Sequence, residues 1–247
     1  MTTSATRPNR AQCLFDLLLP TRCAGCGEGR AQLCARCRAA LATAAPGAAG
    51  PLPRPAGLPP VYAAAPYAGP VRRLLIAHKE RGALGLAGPL GSALAAAVRT
   101  AVGSPPPRSG PVLLVPVPSA RAAVRARGHD PTLRLARAAA RELRRGGLPA
   151  RALPVLRQVR PVHDQAGLGA AERRRNLHGA LGVAPGRTGR LAGRPVVLVD
   201  DLVTTGASLA DAARALHEAG CPARAAATVA ATVRRRPHGP GGGAQPG

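Results

Sequence analysis

The chain has 247 residues, room for one domain with a small appendage or for two modest ones. Much of its 46 % apolar content is alanine, and Phe15, Tyr62 and Tyr67 are its only aromatic residues, which argues against a large aromatic-filled sandwich and for thin helices packed on a Val/Leu sheet. The formal charge is +24, from 35 Lys and Arg against 11 Asp and Glu, with Lys79 the one lysine; this arginine excess suits a phosphate-rich partner such as nucleic acid, and it equally suits a genome-wide bias in base composition.

In chain order, residues 1–12 form a polar, disordered tail. Residues 13–41 form a small subdomain that begins with a short apolar segment, Cys13–Leu19, stopped by Pro20. Within it, Cys23-x2-Cys26 and Cys34-x2-Cys37 make a pair of thiol knuckles. Four sulfurs at such spacings converge tetrahedrally on a structural Zn²⁺, and so short a segment would draw its folding energy from the metal. Two disulfides are the competing reading, disfavoured by a reducing compartment. Cys13 and Cys221 fall outside the pattern and read as small apolar residues.

Residues 42–60 carry six prolines and read as a linker separating the knuckle from a main domain over 61–233. That domain opens with a strand over Val61–Pro66, a helix over Val71–Lys79 and a strongly apolar helix over Ala83–Val102. A buried strand begins at Val112 and is ended by Pro116 and Pro118. The helix over Thr132–Arg145 carries Arg134, Arg137, Arg141 and Arg144 on one side and Leu133, Ala136, Ala140 and Leu143 on the other; such a stripe is either a solvated face or a track for a polyanion. Further strands are expected at Leu153–Leu156 and Ala225–Val233, a mobile loop over 157–168, a helical start within 170–181, and a disordered tail over 234–247. His163 and His178 read as structural or surface residues. No secretion-signal pattern opens the sequence and no run of about 18 apolar residues occurs, so a soluble cytoplasmic protein without membrane insertion is expected.

The most informative stretch is Val196-Val-Leu-Val-Asp-Asp-Leu-Val-Thr-Thr-Gly-Ala-Ser208. Val196–Val199 reads as a short buried strand with Asp200 and Asp201 at its carboxyl end, and an Ala-rich helix follows over about Ser208–Ala219. Between them, Thr204, Thr205 and Gly206 can aim hydroxyls and backbone N–H groups at an anion beside the helix's positive dipole end. The two carboxylates suit ribose hydroxyls or the waters of a hard Mg²⁺ ion. A phosphate and a sugar together satisfy the whole stretch.

This stretch resembles the 5-phosphoribosyl-1-pyrophosphate (PRPP) motif of type I phosphoribosyltransferases. The order of the other pieces is similar to that of the competence-protein F family: the four-cysteine knuckle, Leu75…Lys79…Gly82, Val115-Pro-Val-Pro-Ser119, Arg125-Ala-Arg-Gly128, Gln165-Ala-Gly-Leu168, and Glu172-Arg-Arg-Arg-Asn176 with Gly179-Ala180. The chain departs from that pattern at His129-Asp-Pro131, where the family usually has Phe-Asn-Gln, and around Val162-His163, where it has a Thr.

The resemblance implies a type I phosphoribosyltransferase-like α/β core, a mainly parallel sheet with helices on both faces and PRPP at the strands' carboxyl ends. It implies Asp200 and Asp201 on the ribose hydroxyls and Mg²⁺-bound water, and Val203, Thr204, Thr205, Gly206 and Ser208 around the 5-phosphate. Ser119, in a pyrophosphate loop over 117–120, would face the pyrophosphate with Lys79, Arg121 and Arg125, while Gln165, Arg173 and Asn176 would belong to a closing loop. The expected activity is transfer of the phosphoribosyl group to an unnamed nitrogen acceptor with release of pyrophosphate, in a family associated with DNA uptake by competent bacteria. The reading from another class is a non-catalytic PRPP- or nucleotide-sensing adaptor that binds single-stranded DNA or a competence-machinery partner. An amidophosphoribosyl transfer enzyme lacks support, because no glutaminase domain is recognisable. Proteins with such a core often pair, so a homodimer is open.

Overall fold

The computed structural model describes residues 22–42, 45–105, 110–160 and 177–232. Its centre is built from runs of Val, Leu and Ala too short for buried helices. These give β2 (Val61–Pro66), β3 (Val112–Pro116), β4 (Ala150–Ala152), β7 (Val196–Val203) and β8 (Ala225–Ala231). With β1 (Gly47–Ala49) they form a six-stranded sheet in the order β1-β2-β8-β7-β3-β4. All neighbours are parallel except β1, which runs antiparallel to β2 along one edge. A separate antiparallel ribbon pairs β5 (Leu156–Gln158) with β6 (Leu181–Val183).

Parallel strands buried on both faces need a layer on each side. Residues alternate accordingly: Val112, Leu114, Val197 and Val199 face one core, and Leu113, Val115, Val196 and Leu198 the other. The first core is covered by α3 (Ala87–Val102) and α5 (Pro131–Arg145), the second by α6 (Ala207–Glu218). The molecule is thus an α/β fold with a mixed, mostly parallel sheet flanked by helices. Alanine permits a close approach within the first layer. A methyl group at Gly91 of α3 would overlap the Ala138 Cβ of α5 and come within 3.1 Å of the Ala138 carbonyl carbon. The stretch Leu84–Val102 is long and apolar enough to cross a membrane by length and composition, and half of it is buried, with Leu90, Leu94 and Val98 in the first core.

Several sequence expectations shift. The segment over 42–60 does more than link. It supplies β1, and its Leu58 is buried in the second core. The knuckle shares the first core with the main body, because Cys23, Leu33, Cys37 and Leu41 pack with Leu74 and Leu75 of α2 (Gly69–Glu80). The strand expected at Leu153–Leu156 is instead two, β4 before it and β5 starting at its end, since Pro154 has no N–H for a ladder. The same β5 takes Arg157 and Gln158 from the stretch expected to lack regular structure. On α5 the buried face runs through Leu135, Ala136, Ala139, Ala140 and Leu143, leaving Leu133 on its flank. The calls at Cys13, His163, Gln165, Arg173 and Asn176 lie outside the described residues.

Candidate functional site

β7 runs four residues beyond the expected Val199 and places the acid pair within its last half. Its pairing with β3 stops at Pro116–Val199, whereas its pairing with β8 continues to Val203–Ala231. Pro116 and Pro118 carry no N–H to extend β3, so Asp200 and Asp201 emerge where β7 has lost a neighbour on one side. That gap is the crevice at the carboxyl ends of the strands, where open α/β sheets bind ligands.

Within it is a cavity of about 550 Å³ lined by Lys79, Ser119, Asp200, Asp201, Thr204 and Ser208, among others. An adjoining recess of about 50 Å³ is lined by Asp200 and the whole turn Val203–Leu209. Gly206 caps α6 with φ +71, a left-handed conformation that suits glycine. A Cβ there would also lie 3.0 Å from Leu58 Cδ2 and 3.1 Å from Pro51 Cγ, so the proline-rich segment braces this turn from behind. Thr205 Oγ1 accepts from the Ala207 N–H at 3.5 Å, and Thr204 is exposed.

The acids are held by charge and by backbone. Lys79, near the end of α2, donates to Asp201 Oδ2 at 3.0 Å, and the Asp201 N–H donates to Asp200 Oδ1 at 2.8 Å. Burial, and then the charge of Asp201, push the Asp200 carboxyl well above the usual carboxylate range, with Lys79 opposing. Burial disfavours the Lys79 ammonium, but the two aspartates outweigh it and raise its pKa. A hard divalent cation fits this donor set, since it would relieve two adjacent carboxylates that one lysine only partly balances.

Of the residues expected on the pyrophosphate side, Lys79 and Ser119 reach the cavity. Arg121 and Arg125 do not line it; they are exposed on α4 (Arg121–Arg127). Arg127 lines the cavity. It donates to Glu80 Oε1 at 3.2 Å, and its Nε is buried without a partner among the described residues. Behind the cavity rim His78 is 1 % exposed, and burial lowers its pKa, so it stands as a neutral ring against the Pro131 carbonyl. Asp211, on α6, also reaches the cavity and went unnoticed in the sequence, although a carboxylate on the buried face of an Ala-rich helix was a readable signal. A larger cleft, about 840 Å³, lies between residues 53–60 and α6. Proline and alanine form most of its wall, and its Arg54, Asp211 and Arg214 are bonded to protein groups.

The second site is the knuckle. The Sγ atoms of Cys23, Cys26, Cys34 and Cys37 lie within 4.8 Å of one another, and all four are thiols rather than disulfides. Tetrahedral zinc with sulfurs at about 2.3 Å spaces them about 3.8 Å apart, and Cys26 and Cys34 stand at 3.7 Å. Burial opposes ionisation of Cys23, but the N–H groups of Cys34, Cys26 and Gly25 outweigh it and bring the thiol down to about 6. Burial and the neighbouring sulfurs push Cys37 up to about 12. The cluster is competent to hold a metal ion, and Zn²⁺ fits its four sulfurs. Cys221 stands apart, half-buried near the Thr188 carbonyl. No protein-family model matches the chain, and no curated protein matches it.

Proposed function

We propose that the chain binds Mg²⁺·PRPP in the cavity at the end of β7 and is a type I phosphoribosyltransferase-like protein of the competence-protein F kind, with a structural Zn²⁺ in its knuckle. The observation that carries this is the convergence on one crevice of an acid pair, a lysine bonded to it, and a Thr-Thr-Gly turn at a helix amino end. In this reading the 204–208 turn receives the 5-phosphate through its N–H groups and hydroxyls. Asp200 and Asp201 hold the ribose hydroxyls. Lys79, Ser119 and Arg127 face the pyrophosphate, whose departure builds negative charge that cations stabilise. Mg²⁺, when bound with PRPP, neutralises part of that charge. The acceptor would be a nitrogen nucleophile.

Calorimetric titration of Mg²⁺·PRPP into the metal-loaded protein, beside an Asp200→Asn/Asp201→Asn variant, tests it. Saturable binding that the variant loses is expected. The absence of heat with folded wild type would sink the proposal and favour the adaptor reading, for which Arg137 and Arg141 stand exposed on α5. Cytoplasmic location, any role in DNA uptake and pairing into a dimer belong to the same proposal.

A further inference from the structure

The β5–β6 ribbon stands apart from the main sheet, yet its Gln158 and Leu181, with the adjoining Ala180, line the same cavity as Lys79 and the acid pair. It therefore forms one wall of that cavity. Leu156 and Leu181 anchor it in the second core, and helix α6 adds one buried carboxylate. Asp211, 5 % exposed, accepts from the Gly179 N–H at 2.7 Å through Oδ1 and from the Leu181 N–H at 2.8 Å through Oδ2. Arg214, one turn on, donates from Nε to Asp211 Oδ1 at 2.8 Å and from Nη2 to the Leu181 carbonyl at 2.7 Å. Glu218 Oε2 accepts from Arg214 Nη1 at 2.6 Å and holds the guanidinium in plane.

An apolar residue at 211 would simply extend the buried face of Leu209, Ala212 and Leu216. A carboxylate there carries a desolvation cost that, among the described residues, these donors offset. In return, both β6 backbone groups of Leu181 and the N–H of Gly179 are tied to the helix whose amino end carries the Thr-Thr-Gly turn. The phosphate turn and this wall of the cavity thus share one helix.

We propose that Asp211 and Arg214 are positioning residues that hold the β5–β6 ribbon in place along the cavity of the acid pair, so that α6 sets both the phosphate turn and this wall of the ligand site. The ligand arm of this inference rests on the PRPP reading; the structural arm does not.

The test uses the full chain, zinc-loaded, as wild type, Asp211→Asn and Arg214→Gln, the second variant serving if the first does not fold. In the ligand-free proteins, amide hydrogen exchange at Gly179 and Leu181 is expected to accelerate about tenfold or more, with β7 and β8 amides unchanged. Mg²⁺·PRPP affinity is expected to fall about tenfold, while inorganic phosphate, which needs the turn alone, binds within about twofold of wild type. Unaltered exchange at both amides overturns the clamp. Accelerated exchange with equal changes in both affinities, or none in either, overturns its positioning role. If wild type itself binds no PRPP, the PRPP reading fails, and exchange alone decides the clamp.

Discussion

Replacing Lys79 with methionine keeps most of its stem and removes the cation that, among the described residues, is bonded to Asp201. The pair is asymmetric: the lysine side chain is 39 % exposed and that of Asp201 only 9 %. Breaking a buried pair from one side costs about 3–5 kcal/mol, and an exposed pair contributes about 0–1 kcal/mol. With the lysine more than a third in solvent, we expect a loss of about 1–2 kcal/mol. In a chain of this size each 1 kcal/mol moves Tm by roughly 2–4 °C, so Lys79→Met should melt about 2–8 °C lower at neutral pH.

The pH dependence is the sharper part. Lys79, raised on folding, contributes below its unfolded pKa and loses that contribution only as pH climbs through the folded value, far above neutrality. Asp200 has the opposite sign. Because its carboxyl is raised on folding, the native state holds more protons than the unfolded chain between the two pKa values, and stability falls as pH rises through that window. Without Lys79 the folded pKa goes higher still, so the deficit should be smaller at the lower of two pH values that bracket this window than at the higher. Thermal melts of both proteins at both pH values measure it, and any knuckle contribution cancels in the difference. A deficit equal at the two pH values would refute the electrostatic account.

Two further outcomes follow from the geometry. Gly206→Ala forces a Cβ into a left-handed turn and against Leu58 and Pro51; we expect about 1–2 kcal/mol of destabilisation in a denaturant titration, with weaker PRPP binding. Chelation should release one zinc per chain and lower the melting temperature of the whole α/β body, since Cys23 and Cys37 pack in the same core as Leu74 and Leu90. An unchanged melt after verified metal loss would separate the knuckle from that core.

Where periodicity or chain-breaking chemistry decides an element, the sequence was enough. Val61–Pro66 forms as expected, and helices α2, α3 and α5 fall within a few residues of expectation. Features set by a distant partner were not legible. Gly47–Ala49 has no strand pattern of its own and is a strand because β2 offers it a free edge. β7 outlasts its apolar run because β8 continues to pair with it. At the site, the acid pair and the Thr-Thr-Gly turn were readable because their neighbours are local. Arg121 and Arg125 stand four apart and share one face of α4, which looks outward, while Arg127 lines the cavity; a seven-residue helix with no buried position carries no periodicity from which to read that phase. Asp211 bonds residues some thirty positions away, a relation no local pattern encodes.

The meeting of Gly91 with Ala138 carries a consequence for how this protein tolerates change. Where these two helices meet, methyl groups and backbone are in contact, so truncation has little side chain to remove at that point. Enlargement is the hazard: even one added carbon at Gly91 collides with a neighbouring helix that cannot retreat without dragging the sheet beneath it. Damaging substitutions along the Gly91–Ala138 contact should therefore be the ones that gain volume, whereas at the fully buried Leu90, Leu94, Leu135 and Leu143 they are the ones that lose it.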